Sequence, residues 1–246
     1  MLVDVLGVDI AVLSLAEAVS MIEEFVAQGV PRRVVTANPE LLYRACRDIE
    51  LRELINSADL VTADGEGIVW AAGFLGTPVP QRVTGIDLLQ SLLPKADLLR
   101  WRIFFLGAAP GVAAEALAQV SREYPGIIPA SHHGFFRPGE EEEEVLEGIR
   151  RFRPHLLLVG LGAPRQERWI FAHCRELGVP VSIGVGGSFD VLSGRVKRAP
   201  LWVRRLRLEW LARLLRQPSR WKRQTALPKF AAKILQQKFT QNPRKN

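Results

Sequence analysis

Short apolar runs that suit buried β-strands alternate with segments of helical periodicity along most of this chain. The clearest run is His155-Leu-Leu-Leu-Val159, which is followed by a helical segment from about Glu167 to Leu177 and by a second apolar run from Val181 to Val185. Continuous apolar runs of this kind are typical of parallel strands that are covered on both faces. The alternation predicts an α/β fold, a doubly wound, Rossmann-like and mostly parallel sheet.

The N-terminal third follows the same pattern. A capping box formed by Ser14 and Glu17 predicts a helix from about residue 15 to 28. The strand-like runs Arg33 to Thr36 and Leu60 to Ala63 come later, and each of them ends in polar residues. Because ligands bind outside the carboxyl ends of the strands in open parallel sheets, we expect these polar residues to face a ligand.

Three further segments carry structural predictions. Leu41 to Ile55 has helical periodicity throughout, and the acidic run Glu140 to Glu144 suits a solvated first turn of a helix better than a metal site. The strand-like run Ile103 to Leu106 leads into Gly107-x-x-x-Gly111, which lacks the G-x-G-x-x-G fingerprint and the lysine of a Walker loop. It is either a tight strand-to-helix turn or a ligand-facing loop.

The charge is distributed very unevenly along the chain. The 52 residues from Arg195 onward hold sixteen Lys or Arg and a single acidic residue, Glu209, whereas the first 194 residues carry a net charge of about −8. We therefore predict a catalytic α/β domain over residues 1–194 and a basic, amphipathic, helical appendage over residues 195–246. The partner of such an appendage is polyanionic: an anionic membrane, a nucleic acid, or the phosphates of a substrate.

The appendage has two amphipathic segments. Apolar residues from Trp202 to Leu214 recur every four positions until Pro218, and a second segment runs from Lys229 to Phe239. The first segment either docks on the body or faces a membrane, and the second favours the membrane. The longest uncharged stretch, Gly67 to Gln81, is shorter than the ~20 apolar residues of a spanning helix. We thus expect a cytoplasmic protein, peripheral on the inner face of the plasma membrane.

Five polar residues fall on predicted loops at one edge of the sheet, and they include one carboxylate and one guanidinium. They are Asp64, Thr36, Asn38, Arg82 and Gln166. Such a set suits a polyhydroxylated, phosphorylated ligand.

Several classes of function lose support. The four histidines show no metal-ligand spacing and no G-x-S-x-G nucleophile elbow is present, so neither a metal site nor a cofactor is predicted. A nicotinamide-dependent oxidoreductase would need the missing G-x-G-x-x-G motif. A nucleic-acid-binding protein that uses the basic tail remains the alternative, although it leaves the five polar residues without a purpose.

The motifs of the chain resemble those of the WecG/TagA/CpsF glycosyltransferases. The matching pieces occur in order over nearly the whole chain: Thr36-Ala-Asn-Pro-Glu40, Ala63-Asp-Gly65, Arg82-Val-Thr-Gly-Ile-Asp87, Gly162-Ala-Pro-Arg-Gln-Glu-Arg-Trp169, Gly184-Val-Gly-Gly-Ser-Phe-Asp190, Ser193-Gly-Arg-Val-Lys-Arg-Ala-Pro200 and Leu208-Glu-Trp210.

The resemblance implies an inverting, metal-independent enzyme of bacterial surface-polymer synthesis, such as that of teichoic acid. It would move N-acetylmannosamine or a related sugar from a UDP-sugar to N-acetylglucosamine on undecaprenyl diphosphate. Asp64 matches the general base of the family, and the other four polar residues match positions that hold the sugar and the diphosphate. Inversion needs one base and a stabilised leaving group but no covalent nucleophile, which suits this residue set.

The resemblance also assigns residues outside the polar set. Phe136 and Asp190 would contact the uridine, and Gly186 would be a further substrate-binding position. Three arginines of the appendage match family positions that close over the site: Arg213, Arg220 and Arg223. The appendage would then be both a lid and a contact with an anionic membrane, with no nucleic acid as partner and at most weak self-association.

Overall fold

A computed structural model describes residues 1–200, 202–203, 209, 212, 214 and 225–241. Its centre is a six-stranded sheet of order β4-β3-β8-β7-β5-β6, in which every neighbouring pair is parallel. The two remaining strands, β1 and β2, form a separate antiparallel pair. The predicted Rossmann-like α/β class is confirmed.

The strands have the following bounds: β1 Leu2–Val5, β2 Val8–Ala11, β3 Arg32–Ala37, β4 Leu60–Ala63, β5 Arg102–Gly107, β6 Ile128–His132, β7 Leu156–Gly160 and β8 Val181–Gly184. The helices that the described residues form are α1 Leu15–Gln28, α2 Pro39–Ala45, α3 Ile49–Asn56, α4 Glu66–Leu75, α5 Gly85–Leu98, α6 Val112–Glu123, α7 Glu140–Phe152, α8 Arg165–Leu177, α9 Ser188–Leu192 and α10 Ala226–Gln241.

The local signals placed most elements correctly. The capping box of Ser14 and Glu17 is present at the start of α1, and Gly29 ends that helix in a left-handed conformation. The acidic run forms the first turn of α7, as predicted. The segment of helical periodicity from Leu41 to Ile55 forms two helices, α2 and α3, because Asp48 caps the second one with its side chain.

Helices cover both faces of the sheet. One face packs against α1, α5 and α6, while the other packs against α2, α3, α4, α7 and α8. Along β3 the alternation is visible directly, since Val34 belongs to the first of these cores and Val35 to the second. A sheet covered in this way explains why its strands are almost entirely apolar.

The loop from Gly107 to Gly111 is a tight turn. Gly107 has a φ of 140°, and a Cβ there would lie 2.5 Å from the backbone of Gly160 on the neighbouring strand. The amide of Ala108 also donates to the carbonyl of Gly160 at 3.1 Å. Close backbone packing against β7 therefore explains the glycine.

The second amphipathic segment of the appendage forms α10, which begins at Ala226 rather than at Lys229. Its Phe230 and Ile234 are buried in the same core as α2 and α4. Of the first segment, Trp202, Val203, Glu209, Ala212 and Leu214 are described, each in helical conformation, and the other positions lie outside the described residues.

Candidate active site

A cleft of about 200 Å³ opens at the carboxyl ends of β3, β4, β7 and β8. Its lining includes five of the residues that the sequence predicted: Thr36, Asn38, Asp64, Gln166 and Gly186. The parallel direction of the strands brings these distant segments to one edge, where ligands bind in open α/β sheets.

Thr36 lies at the end of β3 and is buried. Its hydroxyl donates to the carbonyl of Gly184 on β8 at 2.8 Å, so its proton is used within the protein. A hydroxyl oxygen keeps acceptor capacity after donating. Thr36 therefore ties β3 to β8 and can present only an acceptor to the cleft.

Asn38 caps α2 with its side chain. The Oδ1 atom accepts from the amide of Leu41 at 2.9 Å, and Pro39 occupies the first helical turn, where no amide is needed. Because the oxygen of the side chain faces the helix, the NH₂ group is the part of Asn38 that suits a ligand in the cleft.

Asp64 follows β4 directly. Its backbone amide donates to the carbonyl of Ala37 at 2.8 Å, which fixes Asp64 beside the end of β3. Gly65 then adopts a φ of 117°, a conformation that favours glycine, and α4 begins. The carboxylate of Asp64 thus stands between a strand end and a helix start, on the wall of the cleft.

The helices that carry Asn38 and Asp64 approach each other closely. A Cβ on Gly67, in the first turn of α4, would lie 2.7 Å from the Cγ atom of Pro39 in the first turn of α2. Glycine permits this approach because it has no side chain.

Gln166 is only 3% exposed and both ends of its amide are engaged. Oε1 accepts from the amide of Gly186 at 3.1 Å, and Nε2 donates to Oε1 of Glu167 at 2.8 Å. Burial raises the pKa of Glu167, and the hydrogen bond from Gln166 lowers it by less. Gln166 accordingly holds the β8–α9 loop against a buried carboxyl group.

Glu167 was missed by the sequence analysis. The signal was available, because Glu167 precedes Ile170, Cys174 and Leu177 at helical spacing and so belongs to the buried stripe of α8. A carboxyl group within an apolar stripe marks a buried titratable residue.

Arg82 lies next to the cleft and is held there by acidic residues. Its Nη2 atom is 2.7 Å from Oε2 of Glu209, and its Nε atom is 3.7 Å from Oε1 of Glu66. Glu209, the one acidic residue of the appendage, itself lines the cleft. The appendage therefore reaches the predicted site through its carboxylate.

Arg198 is a second guanidinium that the sequence analysis did not single out. It binds Asp87 at 2.6 Å, Gln90 at 3.1 Å and Glu209 at 3.1 Å. Although burial acts to lower the pKa of Arg198, the hydrogen bond and charge of Asp87, together with Glu209, raise it above its ordinary value. One carboxylate, that of Glu209, thus bridges two largely buried guanidinium groups at the cleft.

Not every predicted residue joins the cleft. Phe136 is 6% exposed and packs edge-on to Trp169, with the guanidinium of Arg165 over its ring. Asp190 lies in α9, where its carbonyl accepts from Val196, and neither Phe136 nor Asp190 lines the cleft. Arg213, Arg220 and Arg223 lie outside the described residues.

Neither a cluster of metal ligands nor a membrane-spanning helix is found in the part of the chain that the structure describes. Across residues 1–200, 202–203, 209, 212, 214 and 225–241, no group of three or more His, Cys, Asp or Glu side chains is placed to hold a metal ion. The helices within those ranges include none with the length and hydropathy of a transmembrane span.

Comparison with known proteins gives a consistent answer. The sequence model of the "Glycosyl transferase WecG/TagA/CpsF family" matches residues 3–244. A Bacillus spizizenii protein named N-acetylglucosaminyldiphosphoundecaprenol N-acetyl-beta-D-mannosaminyltransferase is 40% identical over 203 residues, which are 82% of this chain and 78% of that protein. Proteins of the same name from Staphylococcus aureus strains MW2 and NCTC 8325 are 37% identical over 238 residues, covering 96% of this chain and 93% of each relative.

Proposed function

Because the chain belongs to the WecG/TagA/CpsF family of glycosyltransferases, we propose that it transfers N-acetylmannosamine, or a related sugar, from a UDP-sugar to N-acetylglucosamine on undecaprenyl diphosphate. The names of the relatives specify this acceptor and this sugar for those proteins. The product would serve the synthesis of a surface polymer such as teichoic acid. The nucleic-acid interpretation of the basic tail receives no support from the comparisons.

The observation that carries the proposal is the convergence of Thr36, Asn38, Asp64 and Gln166 on one cleft. Three of these side chains are uncharged hydrogen-bonding groups, and Asp64 supplies a carboxylate among them. Polar groups that converge in this way suit a sugar, whose hydroxyls need directed donors and acceptors. A second carboxylate placed for attack on the sugar is not required when the reaction inverts the anomeric centre.

In the proposed reaction, Asp64 accepts the proton of the acceptor hydroxyl as that oxygen attacks the anomeric carbon of the donor. The bond between this carbon and the diphosphate breaks, and UDP departs with the electron pair. Asn38 donates to the sugar through its NH₂ group, and Thr36 accepts from it. Gln166 shapes the floor of the cleft by holding the amide of Gly186 in place.

Negative charge develops on the diphosphate as UDP leaves, and cationic side chains nearby stabilise it. Lys197 and Arg198 line the cleft, and Arg82 is joined to it through Glu209. The arginines at 213, 220 and 223, outside the described residues, match family positions and would add to this set. We propose that these cations replace a metal ion, and that the appendage over residues 195–246 acts as a lid on the domain over residues 1–194.

The contacts of Phe136 and Asp190 with uridine stay predictions. Gly186, the further substrate-binding position, lines the cleft on the loop after β8, and Asp190 lies in α9, which follows that loop. Phe136 would need its ring exposed before it could stack on a base. We propose that the protein acts on the cytoplasmic side of the plasma membrane as a peripheral protein, since the acceptor is lipid-linked and the appendage is cationic.

The test is an assay of UDP release with a panel of UDP-sugars and a lipid-diphosphate N-acetylglucosamine analogue, with and without EDTA. We expect release with UDP-N-acetylmannosamine or a close relative only when the acceptor is present, and no loss on addition of EDTA. Absence of acceptor-dependent release with every UDP-sugar would refute the proposed function. Loss of release with EDTA would refute metal independence alone.

A further inference from the structure

The outer face of α4 carries two aromatic side chains. Ile68, Ala71 and Ala72 point into the core, while Trp70 and Phe74 are 44% and 37% exposed. These two rings lie one helical turn apart and stack with their centroids 5.6 Å apart at an angle of 17°. The surface of α4 beyond its first residue contains no charge at all.

Helix α10 lies beside α4 and runs in the same direction. Its Phe230 ring comes within about 4.0 Å of a Cβ position on Gly67, and Nζ of Lys238 donates to the carbonyl of Leu75 at 3.3 Å. Because eight residues separate the partners on each helix, the two helices are aligned along their length. Lys238 also lies 5.9 Å above the ring of Phe74, which joins the outer faces of the two helices.

The outer face of α10 continues the apolar surface. Leu235 and Phe239 lie one turn apart, flank Lys238 along the helix and are both exposed, Phe239 to 75%. Lys229 and Lys233 are also on this helix, and α10 contains no acidic residue. We call the surface made by Trp70, Phe74, Leu235, Lys238 and Phe239 the α4–α10 face.

We propose that the α4–α10 face docks on an anionic phospholipid bilayer. Tryptophan and phenylalanine suit the boundary between headgroups and acyl chains, and lysines beside them attract anionic lipids. The α4–α10 face combines exposed apolar side chains with lysines over two parallel helices, as surfaces that bind at the membrane interface do. It differs from the predicted role of the appendage, since two of its three aromatic rings, those of Trp70 and Phe74, come from α4 in the body of the protein.

The position of α4 relative to the cleft supports this orientation. Asp64 directly precedes Gly65, the N-cap residue of α4, and Asn38 is the N-cap residue of α2 on the same edge of the sheet. Both α2 and α4 pack against α10. A bilayer under the α4–α10 face would therefore place the proposed lipid-linked acceptor close to the cleft, with its lipid still in the membrane. This step rests on the proposed function.

The proposal predicts two components of binding that salt separates. Attraction between lysines or arginines and anionic lipids is screened by salt. Insertion of Trp70, Phe74, Leu235 and Phe239 depends on the burial of apolar area and persists at high salt. The binding that remains at high salt is therefore assigned to the α4–α10 face.

The experiment is co-sedimentation of the full chain with phosphatidylglycerol–phosphatidylcholine vesicles at low and high NaCl. We expect the double variant Trp70→Ser, Phe74→Ser to lose on the order of tenfold in vesicle partitioning at high salt. Phe135→Ser is the matched control, because Phe135 is 70% exposed but follows β6, at the opposite edge of the sheet from β4 and α4. Phe239→Ser provides a second test that disturbs no core contact.

Turnover separates this proposal from the proposed function. Both variants of the face should keep turnover on a water-soluble acceptor and lose it on an acceptor embedded in vesicles. Wild-type partitioning of both variants at high salt overturns the docking proposal, as does sedimentation showing that the face joins two copies of the chain. Loss of vesicle binding in a protein with no transferase activity on either acceptor would uphold docking and refute the proposed function.

Discussion

The cleft lies at the N-terminal end of α4, and the α4–α10 face begins about one turn further along that helix, at Trp70. The side chains of these two regions are arranged in opposite ways. In the cleft, polar groups such as Gln166 and Thr36 are buried and engaged with named partners. On the face, Trp70 and Phe239 are apolar and exposed. The first arrangement suits chemistry on a small polar substrate, and the second suits adhesion to a surface. Substitutions should therefore affect turnover at one and attachment at the other.

The largest expected effect is that of Asp64→Asn. The amide keeps the shape of the side chain and loses its basicity, so turnover should fall by about 10²–10⁴-fold. Binding of the UDP-sugar and partitioning to vesicles should stay within about twofold of the unchanged protein, measured by calorimetry and co-sedimentation. Asp9→Asn, at an exposed position of β2, is the matched control. Near-normal turnover of the Asp64 variant would show that Asp64 is not the general base.

The next effect is on stability and concerns the attachment of α10. Phe230 is almost fully buried, so Phe230→Ala should lower the free energy of unfolding by about 3–5 kcal/mol in urea titrations. Phe239→Ala, nine residues later on the exposed side of the same helix, should change it by less than about 0.5 kcal/mol. Equal effects of the two substitutions would mean that α10 has no distinct inner and outer sides, and the α4–α10 face would lose its basis.

A smaller effect is expected where the appendage enters the cleft. Glu209→Gln removes the charge that bridges Arg82 and Arg198, and charged hydrogen bonds of this kind contribute about 1.5–3 kcal/mol. If half of that free energy is lost from the binding of the UDP-sugar, its KM rises by about three- to twelvefold while kcat changes less. Glu50→Gln is the control, since Glu50 pairs with Arg168 at an exposed site. An unchanged KM would show that the bridge does not position the guanidinium groups.

The smallest effect concerns pH and stability. Burial raises the pKa of Glu167 above its ordinary value of 4.5. A carboxyl group with a raised folded-state pKa contributes stability that is complete below the unfolded pKa and is lost as the pH rises through the folded one. The Tm of the unchanged protein should thus fall more between pH 4.5 and neutrality than that of Glu167→Gln, which removes this titration. Parallel Tm profiles would contradict a raised pKa for the buried Glu167.

The strands and most helices were predictable because their signals are local. The run His155 to Val159 and the box of Ser14 and Glu17 each lie within a few residues. The predicted site residues Thr36, Asn38, Asp64 and Gln166 also converge, since parallel strands end at one edge. Because the sheet is parallel throughout, residues that were predicted separately at the ends of different strands lie together in the fold.

The remaining features depend on contacts that no local pattern encodes. The bridge from Glu209 to Arg82 and Arg198 joins three distant segments, whereas the sequence marked Glu209 only as the single acid of the appendage and as part of the motif Leu208-Glu-Trp210. Phe136 was assigned to uridine by resemblance, but an aromatic residue in a loop does not reveal whether its ring will be buried. The parallel alignment of α10 with α4 likewise depends on the approach of Phe230 to Gly67, two residues that are far apart in the sequence.

The bare α-carbon of Gly67 has a consequence for the geometry of the reaction. The space between Gly67 and Pro39 is too narrow for even one methyl group on Gly67. Any side chain at position 67 would therefore push the first turns of α2 and α4 apart. The side-chain amide of Asn38 lies at the start of α2, and the carboxylate of Asp64 lies just before the start of α4. The distance between the amide that we propose to bind the donor sugar and the carboxylate that we propose to accept the proton of the acceptor hydroxyl therefore depends on the absence of a side chain at Gly67.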